Sequence, residues 1–176
     1  MNLERKAAIS LRKLWQAHDE RDEGEGWTAA AELYSILGAN SEQAARAGFL
    51  TFEAYLLADE AERWQDKDEE MEDFFYHKAM VLLQEARRTC NLETDSPAHT
   101  IRWWKAYRHG DERGVWKELI EEHKAVFSHL EEMEEYSRQC VEKLLEAVKK
   151  GHDKKDWKVT EEMLEEYFKI FLKAFK

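Results

Sequence analysis

"GWTAAAELYSILGANSEQAARAGF", residues Gly26 to Phe49, carries the pattern that decides the fold. Thr28 can cap a helix over "TAAAELYSIL", and Gly38 suits the left-handed residue that ends one. Ser41 stands at the head of a second helix shortly afterwards. Two helices joined by so short a turn pack side by side and run antiparallel. A helical hairpin is expected here. Ala45, Gly48, Phe52, Tyr55 and Leu56 are spaced to form the inner face of its second arm.

Working outward, the same helical spacing recurs. Leu3, Ala7, Leu11, Leu14 and His18 make one face of a preceding helix, which "DERDEGEG" breaks. Asp66 to Cys90 predicts a further helix with Met71, Phe75, Ala79, Leu82 and Ala86 inward. "TDSPAHT" reads as a helix start, with Asp95 or Ser96 as cap and Pro97 at the first helical position. That helix ends at Gly110. From Asp111 to Lys150, Leu119, Val126, Met133, Cys140 and Ala147 recur every seven residues, interleaved by Trp116, His123, Leu130 and Leu144. Unbroken, that stretch would form a rod of ~60 Å before Gly151 stops it. A last helix is expected after Thr160, apolar at Met163, Tyr167, Ile170, Phe171 and Ala174. No segment alternates with period two. The expectation is one all-α domain over residues 1–176, an antiparallel helical bundle or helical-hairpin array of about seven helices.

Composition agrees. The 176 residues include one proline and seven glycines, are 43 % hydrophobic and 37 % charged, and carry a net charge of −11. An acidic chain of this kind opposes broad contact with nucleic acid or anionic lipid. No apolar run approaches the ~20 residues of a membrane span, and the first residues lack the apolar core of a leader, so a soluble, cytoplasmic protein is expected. Cys90 and Cys140 sit within helical apolar patterns, as reduced thiols would. Asp66, Asp68 and Glu70 open like a calcium loop, but Met71 and His77 replace the glycine and glutamate it needs. Asp73 and His77, His18 and Asp22, and Glu122, His129 and Glu132 lie at helical spacings that suit ion pairs. His123, alone on an apolar stripe, reads as a satisfied core residue. No cofactor or metal is expected.

Trp27, Ala31, Tyr34 and Gly38 stand at the steps that mark the first helix of a tetratricopeptide repeat, and Ala45 and Phe49 fit its second helix. Residues 27–49 thus resemble one degenerate repeat of that family. The resemblance implies a helical array that binds a peptide or protein on a concave face, without catalysis.

"RWWKAYRHG", Arg102 to Gly110, concentrates aromatic and cationic side chains. At 100° per residue, Trp103, Trp104 and Tyr107 fall on one arc, and Arg102, Lys105, Arg108 and His109 on a nearly opposite one. The aromatic arc reads as core. The cationic arc reads as exposed, extended by Arg87 and Arg88, and is the expected binding surface. Arg102 and His109 are also spaced as in the HEPN ribonucleases, a resemblance that implies a cation holding a phosphate and a histidine moving a proton. The leading expectation is a non-enzymatic interaction or scaffold protein with a protein or peptide partner. A ribonuclease using Arg102 and His109, and an accessory subunit that binds or mimics nucleic acid, are the alternatives. The long apolar stripe and "YFKIFLKAF" also suit a homodimer.

Overall fold

Asn40, not Ser41, caps the second arm of the opening hairpin. Its side chain accepts from Gln43 N, and Gln43 answers on the Asn40 backbone, so the two close a capping box. The first arm begins earlier than expected. Asp22 accepts from Glu25 N and starts the helix at Glu23, before Thr28, whose hydroxyl donates to the Gly24 carbonyl. The acidic "DERDEGEG" therefore contains only a two-residue break, Arg21 and Asp22, with Arg21 in the left-handed conformation at φ 59°. An N-cap acid with Glu23 and Glu25 in the first turn favours helix there, and this outweighs the glycines.

The computed structural model describes residues 1–92, 96–126 and 133–175. Eight α-helices follow in order: α1 (Leu3–Glu20), α2 (Glu23–Ile36), α3 (Ser41–Arg63), α4 (Glu69–Thr89), α5 (Ser96–Arg108), α6 (Glu112–Val126), α7 (Met133–Val148) and α8 (Trp157–Phe175). A short π-helical segment, Lys149–Asp153, extends α7. Among the described residues there is no strand, and no helix is long and apolar enough to cross a membrane.

Each helix packs against its neighbours in sequence, and α8 returns to α1. The result is a closed ring of helices. Gly26 meets Phe52 at one end of the α2–α3 pair and Tyr34 packs with Ala44 and Ala47 at the other, so the pair is antiparallel. Arg12 pairs with Glu161 at 3.0 Å and Asp19 with Lys155, so α1 and α8 are antiparallel too. The forty residues from Asp111 do not form one rod. α6 and α7 pack against each other, which folds the heptad stripe back on itself. Leu119, His123, Cys140, Leu144 and Ala147 are buried on it as expected, whereas Trp116 is exposed. Leu130 and the side chains of Val126 and Met133 lie outside the described residues, as does a cap at Asp95.

Several inner faces are rotated from expectation. Ala44 and Ala47 are buried on α3, while Ala45 is exposed. The close approach of α2 and α3 occurs at Gly48, where a Cβ would sit 2.6 Å from Ala31 N and 2.8 Å from Trp27 O. On α4 the buried positions are Glu72, Tyr76, Ala79, Leu83 and Ala86. α8 starts at Trp157, ahead of Thr160, because Asp156 accepts from Val159 N. Runs of alanine on α3 and α4 bring those helices together, since a methyl is all that separates the backbones.

Candidate functional site

Inside the ring lies a chamber of about 240 Å³ whose wall draws on all eight helices. Most of that wall is apolar: Leu11 and Leu14 of α1, Leu33 of α2, Ile101 of α5, Leu144 of α7 and Leu172 of α8. Aromatic side chains supply much of the remainder, among them Trp15, Trp103, Trp104, Tyr55 and Phe168.

Polar groups collect at two places. At the first, Tyr34 Oη and Thr51 Oγ1 share a buried hydrogen bond of 2.8 Å. Arg87 reaches the wall from the end of α4, and Glu122 from α6. The Thr100 hydroxyl donates to Glu122 Oε1, while Glu122 Oε2 is buried and makes no hydrogen bond among the described residues. Trp103 Nε1 is likewise buried without a hydrogen bond there. Burial opposes the Arg87 charge, but the fields of Tyr34 and Glu122 outweigh it and hold the guanidinium above its ordinary range. Burial also pushes the Tyr55 phenol up to about 12.

His123 completes this end. Its Nδ1–H donates to the Leu119 carbonyl at 2.8 Å, which leaves Nε2 to accept from the Tyr167 hydroxyl at 3.0 Å. Burial lowers its pKa, so the neutral tautomer is held on both sides. The sequence reading of a satisfied core histidine matches this geometry.

At the second place, His152 of the π-helical segment packs 4.6 Å from the Trp104 ring and 5.5 Å from Trp15. Burial, with nearby His18 and Lys155, drives its pKa down to about 4. His18 lies beside it on the wall, with Nε2 2.7 Å from Asp59 Oδ2. That partner is on α3, rather than the Asp22 that sequence spacing suggests. Asp59 also takes Arg108 at 2.6 Å and Arg21 at 3.0 Å. Burial alone would raise the Asp59 pKa, but His18, Arg108 and Arg21 hold it below its ordinary value.

No family model, no curated protein and no solved structure matches this chain. The chamber is therefore read from its own chemistry.

The cationic residues singled out in the sequence do not converge on one surface. Arg87 lines the chamber. Arg108, expected on an exposed arc, has its side chain only 7 % exposed. It donates to the Ala58 carbonyl and lies 4.8 Å from the Trp104 ring centre. The α3 carboxylates draw this cation inward, and its guanidinium plane covers an aromatic face. Lys105 pairs with Asp73 at 2.8 Å, so Asp73 serves α5 rather than His77. His109 Nε2 lies 2.8 Å from Glu72 Oε2. Arg88 is exposed and approaches Glu85 at 3.4 Å, and Arg102 is exposed. Arg102 and His109 are separated by about 10 Å of helix. Of the aromatic arc, Trp103 is buried and Trp104 and Tyr107 are half-buried, in line with a core face.

Glu122 and Trp103 line the chamber, whereas their sequence pattern suggests an ion pair and a core face. The ion-pair partners expected for Glu122, His129 and Glu132, lie outside the described residues. A carboxylate beside a buried histidine on an apolar stripe was the available signal. Thr100 and Trp103, one turn apart on α5, were the second.

Proposed function

We propose that this chain is a non-enzymatic binding protein that holds a small, largely apolar molecule in its central chamber. One observation carries the reading: a largely apolar chamber of about 240 Å³ lined from every helix of the ring. Concave, mostly apolar sites with a few placed polar groups are what small-molecule binding requires. The fixed neutral tautomer of His123 supports holding rather than proton transfer, because both ring nitrogens are already engaged. Calorimetric titration with indole tests the reading, comparing the native chain with Leu144→Phe. Saturable binding to the native chain that the larger side chain removes supports it. Equal binding to both proteins places the ligand elsewhere and rejects it.

A second reading, self-association, is favoured by exposed Phe74 and Val81 on the outer side of α4, seven residues apart. Sedimentation across a concentration series tests it. A dimer that Phe74→Ser converts to monomer is the expected result, and a monomer at all concentrations rejects it.

A further inference from the structure

The π-helical segment after α7 brings one hydrogen-bonding ring to the chamber wall. π-Helical turns are rare and occur frequently at functional sites. Here Gly151 lets the segment approach α8, since a Cβ on it would sit 2.9 Å from the Trp157 ring. His152 follows on the wall, 4.6 Å from the Trp104 ring and 5.5 Å from Trp15, yet only half-buried. Unlike His123, it makes no hydrogen bond through either ring nitrogen among the described residues, and neither nitrogen is closed to water. The ring is neutral at pH 7, because burial, with His18, Lys155 and Arg108 nearby, opposes its charge and only Asp19 favours it. A neutral imidazole offers one N–H donor and one bare nitrogen acceptor. An ammonium guest would meet the same cations. A carboxylate would lose its hydration with no cation to spare at this end, since Arg108 pairs with Asp59 and Lys155 with Asp19. A hydroxyl fits: it is neutral, and it accepts from the N–H or donates to the bare nitrogen, whichever it meets. Trp15 and Trp104, on the wall beside His152, supply aromatic surface for the rest of the guest. Size adds the last constraint. A dry cavity of roughly 150 Å³ takes benzene, so one of about 240 Å³ suits a substituted benzene of about ten non-hydrogen atoms.

We propose that the chamber binds a small, uncharged phenol whose hydroxyl hydrogen-bonds to the His152 ring while its aromatic ring packs against Trp15 and Trp104. This rests on the chamber being a binding site. The experiment uses three probes of similar size: 4-ethylphenol; 4-ethyltoluene, in which a methyl replaces the hydroxyl; and 4-methylbenzoate, an anion. Calorimetry at pH 7 measures each on the full chain and on His152→Phe, which keeps the ring contacts and removes both nitrogens. The expected result is 4-ethylphenol binding about tenfold tighter than 4-ethyltoluene to the native chain, with 4-methylbenzoate weakest. His152→Phe keeps its 4-ethyltoluene affinity, which shows the chamber intact, and binds the two neutral probes equally. Equal binding of those two to the native chain overturns the phenol assignment even where His152→Phe fails to fold, and leaves the chamber a binding site. Tightest binding of 4-methylbenzoate, or a phenol preference that survives in His152→Phe, overturns it as well. Indole binding with none of the three probes bound overturns this inference alone. Failure of indole and all three overturns the chamber reading with it.

Discussion

At the scale of single residues, His152, His123 and Asp59 tie stability to pH. His152 titrates near pH 4 in the folded chain, against an ordinary value of 6.5. The unfolded chain binds the proton more readily across that interval. Stability is full above about pH 6.5 and falls as pH drops toward 4, by roughly 3 kcal/mol in all. Denaturant midpoints measured from pH 7 to pH 4 should show this loss, and His152→Phe, which keeps the ring contacts with Trp15 and Trp104, should reduce it to the part that buried His123 contributes. Asp59 acts at lower pH. Its carboxyl sits below the usual 3.8, so its contribution persists above that value and is lost below it. Asp59→Asn removes the charge that faces both Arg108 and Arg21. Because Arg108 is buried, urea unfolding at neutral pH should show a cost of about 3 kcal/mol.

At the scale of elements, glycines on α2 and α3 give a paired prediction. Gly48→Ala improves helix propensity yet pushes a methyl into the α2 backbone, and should destabilise by about 2 kcal/mol. Gly24→Ala has open space around it and should stabilise by roughly 0.5 kcal/mol. Thermal unfolding of the two variants reads both signs. Helices were legible in the sequence because periodicity and caps act locally. Leu14, Phe52, Leu119 and Cys140 are buried as their spacing requires. Starts were misplaced where two caps competed, as at Asp22 against Thr28. Faces slipped by a residue on α3 and α4, where alanines on adjacent sides leave the stripe ambiguous and only the neighbouring helix decides. The site was less legible still. A helix face that lines a chamber and one that packs on a neighbour have the same apolar spacing. Arg108 looked exposed because its partners, Asp59 and Glu62, lie on a helix about fifty residues away in sequence.

At the scale of the whole molecule, ring closure is what creates the chamber. α1 and α8 meet through Arg12–Glu161 and Asp19–Lys155, and the side chains that would fill the core of an open bundle instead surround a shared space. Such space costs dispersion contacts that a better-filled interior would keep. Leu144→Phe should therefore preserve or raise the melting temperature while reducing the volume available to a guest. The most direct measurement is thermal unfolding of the native chain and of Leu144→Phe, each with and without saturating indole. The chamber reading predicts a rise in the native melting temperature that Leu144→Phe does not share. An equal rise in both proteins, or none in the native chain, would contradict it.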